Sequence, residues 1–404
     1  MNNRILLVED SKALRNFLSQ QLGSLGCHVV SAGSVAETQQ VLSKENDFVC
    51  AVLDYCLPDG ENGEVIDLVL ESNLKVVVLT SYFSGEIREH FLSKGVLEYI
   101  LKDSMCSVSY LIPFIKRIMN NVKHHALVVD DSRTMRTNIV QLLDHQYIRT
   151  TEAEDGDDAI SKLAANTDIT FVITDYAMPN KDGVEMIKEV RQLYNQNQLA
   201  ILGLSGSSDR TLTAQFLKAG ANDFLYKPFN QEEFYCRIHQ MLNMKEATDE
   251  LYRMANQDVL TGLWNRRYLF EHDGEHSGDR NIAMLDIDYF KKVNDSHGHD
   301  AGDLVLIEVA KAVKNSFKDG IAVRFGGEEF CILQHGNYDS FVARLDTMRQ
   351  EIEQIRVSHL DTQIQVTISI GATNTEGNLD EQIKLADQRL YDSKEGGRNR
   401  ITSR

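Results

Sequence analysis

Short apolar runs alternate with amphipathic stretches through residues 1–243 of this 404-residue chain. Runs such as Leu6-Leu7-Val8 and Val52-Leu53 are typical of buried strands, and the stretches between them carry apolar residues at helical spacing. Such alternation predicts a parallel sheet covered by helices on both faces. Polar residues follow several of these strands directly, at the carboxyl edge where open α/β sheets bind ligands.

The alternating pattern occurs twice. Asp10 and Asp54 recur as Asp131 and Asp175, both at an offset of 121 residues. Further along, Lys102 recurs as Lys227, at an offset of 125. A constant offset that steps once by four residues indicates two copies of one fold that differ by one insertion.

Each copy gathers three acids, one hydroxyl and one lysine at its predicted sheet edge. These residues are Glu9, Asp10, Asp54, Thr80 and Lys102 in the first copy, and Asp130, Asp131, Asp175, Ser205 and Lys227 in the second. Because neighbouring acids repel one another unless a cation joins them, two of the acids would hold Mg²⁺ and leave the third to attack a phosphoryl group. The lysine and the hydroxyl could then hold the phosphoryl oxygens.

Both copies resemble the receiver domain of two-component response regulators over their full length. The resemblance implies a flavodoxin-like (CheY-like) doubly wound fold and phosphorylation of Asp175 and Asp54 by a sensor histidine kinase or a phosphotransfer protein. In the second copy it also implies a Mg²⁺ site completed by the Ala177 carbonyl, and an aromatic switch at Phe224.

The first copy departs from the receiver pattern in three places. Glu9 replaces an aspartate, the loop at residues 58–63 is one residue longer than that at residues 179–183, and Asp103 stands where the second copy has Pro228. The alternative to a phosphorylated receiver is a degenerate one used for dimer contacts, and it suits the first copy better.

Two segments are predicted to be helices that link the modules. Residues 111–122 carry an apolar stripe at helical spacing, and residues 231–257 contain neither glycine nor proline. In the second segment Met241, Met244, Thr248, Leu251 and Ala255 fall at heptad positions. Because two heptads are short for a coiled coil, the segment could either pack against its own receiver or pair with a second chain. In either case a continuous helix could pass a receiver movement to the last domain.

The last segment contains strand and helix patterns in the order β-α-β-β-α-β, which predicts an α+β ferredoxin-like palm. The alternation from Ile364 to Ile370 predicts one half-buried strand, and residues 386–394 a final helix. Gly326-Gly327 is predicted to turn a hairpin with Glu328 and Glu329 at its tip. Glycines let a large anion approach the backbone, and adjacent acids can hold a divalent cation. The alternative is an acidic turn with solvated glutamates.

The segment from Asp258 to Arg400 resembles the GGDEF family of diguanylate cyclases, in its Gly-Gly-Glu-Glu-Phe variant. The resemblance implies that a homodimer condenses two GTP molecules to cyclic di-GMP and releases two pyrophosphates. It assigns Mg²⁺ to Asp286, Glu328 and the Ile287 carbonyl, phosphate contacts to Lys291, Lys394 and Arg398, and guanine contacts to Asn294 and Asp303, with His299 in the same loop. Glu329 is either the base for the 3′-hydroxyl or a second-metal ligand.

One motif of many diguanylate cyclases is missing. An Arg-x-x-Asp sequence, where product binds and inhibits, would occupy positions that hold Phe317 and Gly320 here. We therefore predict that product inhibition through this site is absent.

Composition excludes several other classes of protein. The net charge of −18 argues against a DNA-binding surface, and no apolar run approaches the length of a membrane span. With no signal-peptide pattern, we expect a cytoplasmic protein without membrane insertion. The expected domains are receivers at 1–122 and 123–243, a helical linker at 244–257 and the cyclase domain at 258–404. The alternatives are a nucleotide-binding module without turnover and, disfavoured by the charge, a transcription regulator.

Overall fold

The computed structural model describes residues 3–81, 84–102, 109–206, 210–272, 280–360 and 362–403. Asp103 lies outside the described residues. The chain divides into two compact units, Met1–Ala247 and Thr248–Arg404. None of the described helices is both long enough and apolar enough to cross a membrane.

The first unit begins with a five-stranded parallel sheet in the order β2-β1-β3-β4-β5. Its elements are β1 (Arg4–Val8), α1 (Lys12–Ser24), β2 (His28–Ala32), α2 (Val35–Leu42), β3 (Cys50–Asp54), α3 (Glu64–Glu71), β4 (Val76–Thr80), α4 (Gly85–Lys94), β5 (Glu98–Leu101) and α5 (Leu111–Asn121). Strands β3 and β4 are buried along their whole length, as expected for a sheet covered on both faces.

A second sheet repeats this topology, in the order β10-β9-β8-β6-β7, again with parallel pairing. Its elements are β6 (His125–Val129), α6 (Arg133–His145), β7 (Arg149–Ala153), α7 (Gly156–Ala165), β8 (Phe171–Asp175), α8 (Gly183–Leu193), β9 (Ala200–Ser205), α9 (Arg210–Ala219), β10 (Asp223–Tyr226) and α10 (Gln231–Asn256). The two parallel α/β receiver folds predicted from the repeat are confirmed.

Serine caps explain why helices start directly after the acidic residues. Ser11 and Ser132 are the N-cap residues of α1 and α6, and each side chain accepts a hydrogen bond from a backbone N–H of the first turn. The chain therefore turns sharply at the end of β1 and β6, which keeps Asp10 and Asp131 at the sheet edge.

The two receivers contact each other within the first unit, through helix α10. The Glu232 carboxylate accepts hydrogen bonds from Arg88 Nε at 3.1 Å and from the Tyr99 hydroxyl at 3.0 Å. Further along the helix, Glu246 Oε1 lies 2.6 Å from Arg117 Nη2 and 2.9 Å from His124 Nε2. The first receiver thus holds the last helix of the second at two points.

The second unit contains a six-stranded mixed sheet in the order β11-β13-β14-β12-β17-β18. Its elements are β11 (Trp264–Asn265), α11 (Arg266–Glu271), β12 (Arg280–Ile287), α12 (Phe290–His297), α13 (His299–Ser316), β13 (Ile321–Gly326), β14 (Glu329–His335), α14 (Tyr338–Gln354), β15 (Val357–His359), β16 (Thr362–Ile364), β17 (Ile368–Thr373), α15 (Leu379–Glu395) and β18 (Ile401–Thr402). Helices α13 and α14 pack on one face of the sheet, and α11 and α15 on the other. The predicted palm is confirmed.

The single strand predicted from Ile364 to Ile370 is wrong. Residues 362–364 form β16, which pairs with β15 in a separate two-stranded sheet, and the chain re-enters the main sheet at Ile368 as β17. All six residues of β17 are buried, because helices cover it on both faces. At Gly371 an added Cβ would lie 2.1 Å from the Ala386 carbonyl oxygen of α15, so the helix packs directly on the strand backbone.

Candidate functional sites

The second receiver brings its acids and its lysine together at the carboxyl edge. Lys227 Nζ lies 2.6 Å from Asp130 Oδ2 and 2.8 Å from Asp175 Oδ1. Asp130 and Asp175 are buried, while Asp131 is exposed. Ser205 ends the neighbouring strand β9, and the exposed Ala177 lies two residues beyond Asp175. The lysine supplies the counter-charge that two buried carboxylates require.

The first receiver has the same arrangement, despite the change from aspartate to glutamate. Lys102 Nζ lies 2.7 Å from Glu9 Oε2 and 2.6 Å from Asp54 Oδ2. Thr80 ends strand β4 and is buried. The longer glutamate side chain therefore does not disturb the lysine contact.

Each receiver has three carboxylates that fit a divalent cation. One oxygen from each of Glu9, Asp10 and Asp54 lies within 4.8 Å of the others, and the same holds for Asp130, Asp131 and Asp175. Oxygen ligands at this spacing suit a hard divalent metal ion. Burial raises the pKa of Asp175 above its ordinary value, although Lys227 acts in the opposite direction.

The longer loop of the first receiver has its own structural role. Asp59 accepts hydrogen bonds from the backbone N–H groups of Val35 and Ala36, at 2.8 and 3.0 Å. It therefore stabilises the first turn of α2 from outside the helix. In the second receiver the corresponding loop also contacts the start of its helix, since Asn180 Nδ2 donates at 2.6 Å to Asp155 Oδ2 and Asp155 is the N-cap residue of α7.

In the second unit, strand pairing assembles the acids of the palm. Asp286, near the end of β12, lies opposite Glu329 of β14. The hairpin turn falls at Gly327-Glu328, between the paired residues Gly326 and Glu329, and Gly327 has a left-handed φ of +51°. The turn thus places Glu328 beside the end of β12, where its carbonyl oxygen accepts from the Ile287 N–H at 3.4 Å.

Lys394 of α15 reaches this acidic group. Its Nζ lies 2.8 Å from Asp286 Oδ2, and Asp286 is buried. Burial raises the pKa of Asp286, and the Lys394 ammonium partly offsets this effect. Burial, and then the charge of Asp286, also raise the pKa values of Glu328 and Glu329. Crowded carboxylates of this kind favour binding of a cation.

The residues assigned to guanine, together with Lys291, lie on α12 and α13. Lys291 and the half-buried Asn294 belong to α12, while His299 and Asp303 are exposed in the first turns of α13. An added Cβ at Gly302 would lie 2.0 Å from Asn294 Oδ1, so a larger residue there would displace the Asn294 amide. Arg398 follows α15, one turn after Lys394, and its Nη1 donates to the Lys394 carbonyl oxygen at 3.3 Å.

An ion pair that sequence reasoning did not predict supports the hairpin. Arg324 Nη1 lies 3.0 and 3.1 Å from the two carboxylate oxygens of Asp258, and Arg324 Nε and Nη2 donate to the Gly327 carbonyl oxygen at 3.0 and 2.8 Å. Arg324 therefore ties the turn to the segment that opens the domain. In the sequence, the position of Arg324 close to the glycine pair was the only sign that it could support the turn.

Two family models match the chain. The receiver domain of response regulators matches residues 5–108 and 126–239, and the GGDEF domain of diguanylate cyclases matches residues 255–400. One solved structure, of a probable two-component system response regulator/GGDEF domain protein, has 37% sequence identity to this chain and a TM-score of 0.56. The match covers 60% of this chain and 99% of the chain in that structure.

Curated proteins are also similar. Response regulator PleD of Caulobacter vibrioides is 30% identical over 299 residues, which are 69% of this chain and 65% of that protein. Diguanylate cyclase A of Treponema denticola is 37% identical over 168 residues, which are 38% of this chain and 45% of that protein. The chain thus spans less than two thirds of the length of either relative.

Proposed function

Because the chain belongs to the family of response regulators that carry a GGDEF domain, we propose that it is a diguanylate cyclase controlled by phosphorylation. It would condense two GTP molecules to cyclic di-GMP and release two pyrophosphates. The observation that carries the proposal is the pairing of Asp286 with Glu329 beside a glycine turn, with Lys394 2.8 Å from Asp286.

Different residues of the palm would bind the metal ion, bind the phosphates and act as the base. Asp286, Glu328 and the Ile287 carbonyl would hold Mg²⁺, which when bound neutralises the triphosphate and favours attack at the α-phosphorus. Lys291, Lys394 and Arg398 would hold phosphate oxygens and stabilise the charge that develops on them. Glu329 would accept the proton of the attacking 3′-hydroxyl. The raised pKa of Glu329 suits a base better than an ordinary surface carboxylate would.

Guanine would be recognised by side chains of α12 and α13. Asn294 and Asp303 offer a donor and acceptor pair, which would discriminate guanine from adenine, and His299 lies in the same loop. Asn294 lies next to Gly302, where a glycine leaves room for its amide.

The receivers would supply the control. A sensor histidine kinase or a phosphotransfer protein would phosphorylate Asp175, and Asp54 in the first receiver. Asp130, Asp131 and the Ala177 carbonyl would hold Mg²⁺ in the second receiver, and Glu9 and Asp10 in the first. Lys227 with Ser205, and Lys102 with Thr80, would bind the phosphoryl oxygens.

A palm that binds one GTP needs a second palm, so the active form would be a homodimer. Two apolar side chains of α10 seven residues apart support this proposal, since Met244 is 66% and Leu251 67% exposed. The amino-terminal half of the same helix is occupied, because Phe234, Ile238 and Leu242 pack in the core of the second receiver. Phosphorylation would then change how often two palms meet.

We propose the same domain limits as the sequence analysis: receivers at residues 1–122 and 123–243, a helical linker at 244–257 and the cyclase domain at 258–404. The deciding experiment is chromatography of GTP after incubation with the protein and Mg²⁺, with and without acetyl phosphate. We expect cyclic di-GMP in both samples, in amounts that differ with the phosphodonor. Binding of GTP without any product would instead indicate a nucleotide-binding module.

A further inference from the structure

Asp288 is a buried acid to which the family resemblance assigned no role. It follows Asp286 by two residues and is 4% exposed. Its Oδ1 accepts from Ser369 Oγ at 2.6 Å, and its Oδ2 accepts from Thr367 Oγ1 at 2.6 Å and from the Asn399 N–H at 3.0 Å. Both oxygens are therefore engaged with protein groups, and one of these groups belongs to the loop that carries Arg398.

That loop has an unusual backbone. Arg398 and Asn399 both have left-handed φ values, of 65° and 45°. Because such conformations cost energy in residues other than glycine, they persist only where surrounding contacts fix them. Asn399 is held on two sides: its N–H donates to Asp288, and its Oδ1 accepts from Arg349 Nη1 at 2.7 Å. The Arg398 N–H donates to the Ser393 carbonyl oxygen at 3.0 Å.

Tyr289 holds the side chain of the same arginine. The Arg398 guanidinium carbon lies 4.6 Å from the centre of the Tyr289 ring, within the range of a cation–π contact. Lys292 Nζ lies 4.3 Å from the same ring centre. Tyr289 is itself left-handed, with a φ of 58°, and directly precedes helix α12. Its ring thus places two cations beside the amino terminus of that helix, where backbone N–H groups favour anions.

We propose that Asp288 and Tyr289 are positioning residues, which fix the loop after α15 so that Arg398 is aimed at the phosphates of the nucleotide. The end of β12 and the residues that follow it then have two roles, since Asp286 would hold the metal ion whereas Asp288 and Tyr289 hold the loop that carries Arg398. This inference rests on the proposed function, because it takes the ligand to be a nucleoside triphosphate.

The first test is a double-mutant cycle between Tyr289 and Arg398. Tyr289 is 54% exposed, so Tyr289→Ala is not expected to disturb the core. The dissociation constant of a non-hydrolysable GTP analogue with Mg²⁺ is measured by calorimetry, together with KM and kcat for GTP. Since a cation–π contact at such a site is modest, Tyr289→Ala should weaken analogue binding about 3- to 10-fold and raise KM more than it lowers kcat, whereas Tyr289→Phe should stay within about twofold.

In an Arg398→Ala background, Tyr289→Ala should change the dissociation constant less than about twofold, because the ring no longer has that arginine to hold. An equal loss in both backgrounds would overturn the proposal, and so would a Tyr289→Phe variant as weak as Tyr289→Ala.

Asp288 is tested by a matched pair of variants. An asparagine can still accept from the Asn399 N–H and can donate to Ser369, so Asp288→Asn should bind the analogue better than Asp288→Ala. If Asp288 were a metal ligand instead, both variants would lose Mg²⁺-dependent binding alike, and the proposal would fail. If Asp288→Ala does not fold, the double-mutant cycle between Tyr289 and Arg398 decides whether the proposal stands.

Calorimetry separates this inference from the proposed function. A protein that binds the analogue but forms no cyclic di-GMP would refute the cyclase and leave the positioning roles standing. A protein that forms cyclic di-GMP, but whose analogue binding is insensitive to Tyr289→Ala, would support the cyclase and refute the positioning role.

Discussion

Arg324→Ala would remove the contacts that tie the glycine turn to Asp258. The variant loses two hydrogen bonds to the Asp258 carboxylate and two to the Gly327 carbonyl oxygen, while Asp258 keeps its bonds from Thr261 N at 2.9 Å and Oγ1 at 2.7 Å. The two side chains are 15% and 25% exposed, so the pair is neither a surface contact nor a fully buried one. We expect the free energy of unfolding of the domain to fall by about 2–3 kcal/mol.

The matched control is Arg267→Ala. Arg267 is 65% exposed and pairs with Glu271 one turn along the same helix, so its loss should cost only about 0.3–0.5 kcal/mol. The chain has one tryptophan, Trp264, and β11, which contains it, pairs with β13 at Val323 and Arg324. Urea unfolding followed by tryptophan fluorescence therefore reports on this region selectively.

The pH dependence of the two variants gives a second check. Burial raises the pKa of Asp258, but Thr261 and Arg324 lower it more, so the net shift is downward. A carboxyl whose pKa is lowered on folding contributes stability above its unfolded pKa and loses it as pH falls through the folded value. The gap between wild type and Arg324→Ala should therefore narrow below about pH 4. Equal unfolding free energies for Arg324→Ala and Arg267→Ala at neutral pH would refute the reasoning.

Three further predictions concern control, pH and product. Asp175→Asn should abolish most of the effect of acetyl phosphate on cyclic di-GMP formation, with Asp54→Asn as the matched control. If Asp175→Asn still responds like wild type, Asp54 would be the main phosphorylation site. Burial raises the pKa of Glu98 to about 7, so ionising it opposes folding, and local stability should fall by about 2 kcal/mol as pH rises from about 4.5 to 7. Hydrogen exchange of the β5 amides would measure this fall, and Glu98→Gln should remove it; the same pH slope in the variant would contradict the assignment. Phe317 is buried in the core and an added Cβ at Gly320 would lie 2.8 Å from the Leu333 carbonyl oxygen, so neither position offers a charge to product. Calorimetry with cyclic di-GMP should detect no sub-micromolar binding at this surface.

The sequence predicted the sheets and the acidic edges because these depend on local signals. Buried strands are short apolar runs, the repeat fixes their order, and the acids directly follow the strands. The strand from Ile364 to Ile370 was mispredicted because the pattern of alternation continues through the segment that separates β16 from β17, and only tertiary pairing decides where each strand starts.

Contacts between distant segments had no signal in the pattern. Arg324 with Asp258, Asp288 with Asn399, and Glu232 with Arg88 each join residues more than 60 positions apart. Charged residues of this kind look like ordinary surface residues in a sequence, since their partners are specified only by the fold. The acids of the candidate sites could be predicted because they follow strands and resemble a family motif, whereas the residues that hold them in place follow no such rule.

The most direct test of the proposed function is the Mg²⁺ dependence of cyclic di-GMP formation in wild type and in Glu328→Ala. Glu328 lies in the hairpin turn beside Asp286, and burial, followed by the charge of Asp286, raises its pKa. Removing Glu328 should therefore weaken the proposed metal site without disturbing the receivers. We expect Mg²⁺-dependent product in wild type and none in Glu328→Ala, with the phosphorylation of Asp175 by acetyl phosphate unchanged. Product formation by Glu328→Ala at the wild-type rate and the same Mg²⁺ concentration would contradict the proposed site.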